Sequence, residues 1–298
     1  MRRDYFYPPF SFLAPEPRLT AYDSSRVVIL PVPYDATTTA YAGTRNGPSA
    51  IIHASQDLET FDLTLGFDTT QHGIHTLPDL APQSDSPAAM VDRIEDAVGA
   101  LLDDGKFVVT LGGEHTVSVG AVRAHFRRYT DLTVLAIDAH ADLRDEYLDS
   151  RYNHACPLRR IVESCPVVQV GMRSASPDQL DFIREQGLTF LTPTAYRALA
   201  GGPDDVVSKL SPHVYVDIDL DGIDPSQMAA VGTPEPGGLF WNEVIELLTA
   251  VAQGNTIVGF DLVELAPDLG PRACATLAAR LAQRLIGLAL GPPEPYRK

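Results

Sequence analysis

Short runs of β-branched and aliphatic residues alternate along nearly the whole chain with longer stretches whose apolar positions recur at helical spacing. The first kind predicts strands and the second amphipathic helices. Strands are expected at residues 26–31, 106–111, 132–137, 167–171, 188–191, 213–220 and 256–263, and helices at 48–58, 87–102, 116–128, 177–186, 241–252 and 271–289. Two strand segments, Val108-Val109-Thr110-Leu111 and Val134-Leu135-Ala136-Ile137, suit burial on both faces. Such strands belong inside a parallel sheet with helices above and below, so the fold class is α/β, three layers around a central, mostly parallel sheet. There is no internal repeat or low-complexity tract. The polar, proline-bearing residues 78–86 are too short for a domain linker, so residues 1–298 are expected to form a single domain.

Composition narrows the function classes. Apolar residues make up 45% of the chain, and no uninterrupted apolar run reaches the roughly 18 residues of a membrane helix. The charged start, Met1-Arg2-Arg3-Asp4, leads into a stretch broken by Pro8 and Pro9 with no small-residue cleavage site, and no signal peptide is expected. Three cysteines, Cys156, Cys165 and Cys274, are odd in number and lack CxxC spacing. Neither a disulfide framework nor a cysteine zinc site is expected, and a reducing cytoplasm is the simplest compartment. The formal charge of -16, from 23 basic and 39 acidic side chains, argues against unaided binding to nucleic acid or an anionic bilayer and is compatible with a cationic ligand.

Chemistry gathers at strand ends. After the strand at 132–137 come Asp138, Ala139, His140, Ala141 and Asp142, and extended backbone would place alternate residues on one side. The strand at 213–220 runs into Asp217, Asp219, Asp221 and Asp224, four aspartates within eight residues. They would repel one another unless a cation lies among them. Asp224, before Pro225, is expected to organise the turn. Asp217 reads equally well as a structural carboxylate and is not counted as a ligand. A third strand ends in Gly112-Gly113-Glu114-His115-Thr116, where paired glycines permit a turn presenting His115 at the same sheet edge; the GK[ST] ending of a phosphate loop is missing. His115, Asp138, His140, Asp142, Asp219 and Asp221 exceed the needs of one ion with an open position, so two divalent ions sharing aspartates are expected. The carboxylate-rich set favours Mn²⁺.

These residues resemble the ureohydrolase family, comprising arginase, agmatinase and related guanidino-group hydrolases. The matching segments are GGEH (112–115), DAHAD (138–142), NHA (153–155), DIDLDGIDP (217–225), GTPEPGG (232–238) and DLVE (261–264), with PYDATTTAYAGTRNGPSAI (33–51) similar to the family's amino-terminal region. The resemblance implies a single arginase-like α/β domain, a Mn²⁺ pair and a homo-oligomer. It assigns His115, Asp138, Asp142 and Asp219 to one ion and Asp138, His140, Asp219 and Asp221 to the other. It makes His154 the proton-shuttling histidine and Glu264 the carboxylate that holds the guanidinium. Read from the residues alone, His154 lies in a polar, mobile-looking loop as a surface histidine, and Glu264 ends a strand where a guanidinium partner or a structural ion pair fits equally. The sequence departs from the family at Glu114, where aspartate is usual, and at Ala155 in place of glycine. Residues 144–153 do not match the loop by which arginases hold the amino acid end of arginine.

The expected reaction is hydrolysis of a small guanidino substrate, agmatine first, to urea and a primary amine, with Asp142 orienting the attacking hydroxide and His154 protonating the leaving amine. The runner-up is guanidinobutyrate or another guanidino acid met by Arg144 or Arg151. Formimidoylglutamate hydrolysis and a non-catalytic metal-binding homologue are the remaining rivals.

Overall fold

The structure, a computed structural model, describes residues 10–296. The expectation drawn from the first nine residues lies outside them. In chain order the regular elements are β1 (Val27–Val32), α1 (Gly47–Ser55), β2 (Phe61–Asp62), β3 (Phe67–Asp68), β4 (Ile74–Thr76), α2 (Pro87–Asp103), β5 (Phe107–Gly112), α3 (Val117–Arg128), β6 (Leu132–Ile137), α4 (Pro157–Val162), β7 (Val167–Val170), α5 (Pro177–Gln186), β8 (Thr189–Leu191), α6 (Pro193–Arg197), α7 (Pro203–Val207), β9 (His213–Asp219), α8 (Trp241–Gly254), β10 (Thr256–Val263) and α9 (Ala273–Leu290).

Eight strands form one sheet in the order β4-β1-β5-β10-β9-β6-β7-β8, every pairing parallel, while β2 and β3 make a small separate hairpin. The chain builds outward from β1 in both directions, then returns to lay β9 and β10 between β5 and β6. That insertion makes β5, β10, β9 and β6 neighbours, so their four carboxyl ends open on one stretch of sheet edge. In open α/β sheets this is where ligands gather.

Alternation along each strand divides the core in two. Ile29 of β1, Ile137 of β6, Val216 of β9 and Leu262 of β10 pack with α1, α8 and α9 on one face. Leu30, Val134, Tyr215 and Val263 pack with α2, α3 and α4 on the other. Burial of both faces is the burial that the apolar strand runs demand. Helix α9 is long and apolar enough to cross a membrane, yet its apolar side is buried in the first of these cores.

All seven expected strands and six expected helices are present, with ends shifted by a few residues. Strands β2, β3 and β4 and the short helices α4, α6 and α7 are additional to those expected. Each is too short to show a period. Two local expectations are corrected. Residues 138–142 are not extended strand, because β6 stops at Ile137 and Asp142 takes a left-handed backbone with φ 47°. The strand alternation of the second aspartate cluster ends at Asp219, and Asp221 sits in a 3-10 turn (Leu220–Gly222).

Candidate active site

The six expected ligands converge where these four strands end. His115, at the head of α3, points Nδ1 toward three carboxylates: Asp142 Oδ2 at 3.0 Å, Asp219 Oδ2 at 3.4 Å and Asp138 Oδ2 at 3.5 Å. His140 places its Nδ1 2.9 Å from Asp221 Oδ2 and 3.9 Å from Asp138 Oδ1. Among the described residues, two groups of donors close enough to share an ion emerge, His115-Asp138-Asp219 and Asp138-His140-Asp221, with Asp138 common to both.

The backbone fixes these side chains. Asp138 Oδ1 accepts from the His140 amide at 2.6 Å, Asp221 Oδ1 from the Ala139 amide at 3.0 Å, and Asp219 Oδ1 from the Asp221 amide at 2.9 Å. Each carboxylate thus spends one oxygen on its neighbour's backbone. A Cβ on Gly222 would lie 2.8 Å from the Asp138 nitrogen, and one on Gly113 only 2.1 Å from the Tyr34 carbonyl oxygen, so strand ends can approach this closely only through glycine. Asp224 accepts from the amides of Ser226, Gly237 and Gly238, the turn-organising role expected of it.

The donors fit a divalent metal pair on three grounds. Asp138 Oδ2 is buried with no hydrogen-bond donor among the described residues. Burial, then repulsion from Asp142 and Asp221, pushes Asp138 well above the carboxylate range, and Asp219 rises likewise through burial and repulsion from Asp221 and Asp138. Burial alone would depress His115 and His140, yet the surrounding carboxylates lift His115 well above its ordinary value and His140 to about 10. Without cations, such a cluster must fill itself with protons. Oxygen and imidazole donors in this number suit hard to borderline ions.

Asp217, left open by the sequence, lies behind His115, receiving its Nε2 at 3.0 Å. Tyr215 donates to Asp261 Oδ2 at 2.8 Å, and Asp261 is hydrogen bonded to Asp217. These groups fix the ring from the side away from the donors. Glu264, at the end of β10 with φ 66°, accepts from the His115 amide at 2.8 Å through Oε1. The same oxygen lies 3.4 Å from His154 Nδ1. His154 is largely covered and not the surface histidine that its polar loop implied, with Nε2 2.8 Å from the Thr39 hydroxyl. Burial lowers its pKa, but the Glu264 carboxylate outweighs this and the net direction is upward.

Glu114 is fully buried, accepting from the Thr37 amide and hydroxyl, both at 2.6 Å. Burial pushes it up to about 7 in spite of these bonds. Neither Thr37 nor Thr39 was singled out in the sequence. Their only signal is a run of three threonines inside the family-like stretch at 33–51.

The arginase family profile matches residues 25–287. Among relatives, N(1)-aminopropylagmatine ureohydrolase from Thermus thermophilus is 41% identical, covering 90% of this chain and 92% of its own. The protein of that name from Synechocystis is 38% identical with 94% of each chain covered. Among solved structures, the agmatine ureohydrolase of Thermoplasma volcanium superposes with a TM-score of 0.83 at 32% identity, covering 91% of this chain and 92% of that one. With a family match across nearly the whole described chain and relatives aligned almost end to end, this protein belongs to the arginase family and is a ureohydrolase, cleaving a guanidino group to urea and an amine.

Proposed function

We propose that the substrate is an agmatine-type polyamine, N(1)-aminopropylagmatine ahead of agmatine itself, hydrolysed at its guanidino group with two Mn²⁺ ions in the donor cluster. His115, Asp138, Asp142 and Asp219 would hold one ion, and Asp138, His140, Asp219 and Asp221 the other. Bound there, such a pair would supply a water of near-neutral pKa, and so hydroxide, as nucleophile.

The observation that carries this reading is the position of Glu264. Its contacts with His115 and His154 fall on Oε1, which leaves Oε2 to receive a guanidinium beside the donor cluster. A carboxylate there pairs with a planar cation and turns its central carbon toward the attacking water. Asp142 orients that water. His154, which holds its proton more tightly than an ordinary imidazole, donates it to the leaving amine nitrogen. Preference for the aminopropyl-extended substrate rests on the two relatives above, and net acidity favours a polycation. The expectations of a cytoplasmic homo-oligomer that binds neither nucleic acid nor membrane stand as part of the same proposal.

Urea release should be measured with added Mn²⁺ on N(1)-aminopropylagmatine, agmatine, arginine and guanidinobutyrate. The expected order in kcat/KM is that order. Formamide in place of urea, or a guanidino acid as best substrate, would overturn the reading. Glu264→Gln keeps shape and removes charge, so metal content should hold while kcat/KM falls about ten- to a hundred-fold, the worth of one charge-assisted pair.

A further inference from the structure

We propose that Glu114 and Thr37 form a clasp whose work is to position His154 for proton transfer. The inference rests on the hydrolytic reading above. Residues 35–42 contain no regular element, and the stretch is closed at its base by Asp35, which accepts from the amides of Gly43 and Arg45 at 2.9 and 3.2 Å. Its far side is held by Glu114. Because the Thr37 hydroxyl donates to Glu114 Oε1, its lone pairs point away, and one of them accepts the His154 amide at 2.9 Å. The Thr37 carbonyl accepts from Asn153 Nδ2 at 3.3 Å, tying in the residue before His154. Two residues on, Thr39 meets the imidazole at Nε2.

These contacts close a circuit. From Glu114 it runs through Thr37 to His154, across His154 Nδ1 to Glu264, and from Glu264 to the amide of His115, the residue next to Glu114. The clasp thus joins a loop near the start of the chain to the strand ends of β5 and β10, and His154 is held from its backbone as well as from both ring nitrogens. The longer side chain at position 114 is what spans the gap. Aspartate would retract the carboxylate by about 1.5 Å, beyond reach of both Thr37 donors at once.

The test uses the Mn²⁺-loaded enzyme with Thr37→Ser, Thr37→Val and Glu114→Asp. Thr37→Ser keeps the hydroxyl and should retain kcat within about twofold, whereas Thr37→Val should lose roughly ten- to a hundred-fold in kcat, the cost of misplacing a reacting group by about 1 Å. Its KM and metal content should stay close to the parent's. Glu114→Asp should shift kcat in the same direction. A second readout needs no turnover: in the metal-free protein, hydrogen exchange at the His154 amide should be faster in Thr37→Val than in Thr37→Ser. The clasp is overturned if Thr37→Val keeps parental kcat and amide protection, if Thr37→Ser is as impaired as Thr37→Val, or if the loss follows metal content. A parent enzyme that releases no urea from any guanidino substrate would defeat the functional reading, while the exchange measurement would still decide whether the clasp exists.

Discussion

The two halves of the donor cluster use the same residue types and are built differently. His115 is 1% exposed, lies in the turn that leads into α3, and has its rear nitrogen held by Asp217. His140 is 24% exposed, lies on irregular backbone, and is held through that backbone, its amide donating to Asp138 and its carbonyl accepting from Gln169 at 2.5 Å. In the first half the ring orientation is settled before any ion arrives. In the second, the ring is turned by Asp221, a carboxylate of the donor cluster itself, so its orientation has less support independent of the ion. Donor identity therefore says which ions fit, and the packing behind the donors says how firmly each is held.

The most damaging way to break this comparison is to remove what both halves share. Asp138→Asn should strip both ions and lower turnover by more than about a thousandfold, since metal assistance is worth several kcal/mol. Metal analysis beside urea release checks this, and a variant that keeps two ions and parental rates would refute sharing.

A smaller effect lies beneath the first half. His125 of α3 packs its ring at a tilt against Tyr215, with centroids 4.7 Å apart, and Tyr215 is the residue that bonds Asp261 behind Asp217. Burial lowers its pKa from 6.5 to about 4. As pH falls through 6.5 the unfolded chain takes up a proton at this site that the folded chain refuses until about 4. Stability is therefore lost on that descent, by about 3 kcal/mol at most. Denaturant titrations of the parent and of His125→Gln across this range isolate the contribution, because the variant has no group to titrate there. Equal acid sensitivity in the two proteins would show that His125 is not held neutral.

Smallest of all, and most telling, is the effect on relative affinity. Asp217→Asn should weaken the ion at His115 by about ten- to a hundred-fold, and bring the two affinities together. His140→Asn should weaken only the other. Chelator titration followed by metal analysis distinguishes them, and a Asp217→Asn protein with unchanged release order would contradict the assigned role of the rear carboxylate.

The parts legible in the sequence are those where chemistry breaks a pattern. Asp138, His140 and Asp142 stand out because they follow an apolar strand directly, and Asp219 and Asp221 because aspartates crowd where burial is expected. Asp217 was visible but its direction was not, since alternation puts it on the α3 face without saying that an imidazole waits there. Tyr215 carries no such break, and Asp261, a lone acid in the apolar strand β10, shows one without showing its partners: these come from a neighbouring strand, and which strands are neighbours follows from the late insertion of β9 and β10. Thr37 was hidden for the same reason, its partners lying 77 and 117 residues away. What the sequence withheld was pairing at a distance.

Asp142 and Glu264 both carry left-handed backbone that glycine adopts freely. For other residues this conformation costs on the order of 1–2 kcal/mol. Asp142 also adds to the repulsion within a crowded acidic cluster. Selection for heat resistance alone should therefore drift toward glycine at these two places, and the hardier descendants would be inert. Persistence of the two acids in a heat-selected library would record how strongly activity, set against durability, had been demanded of it.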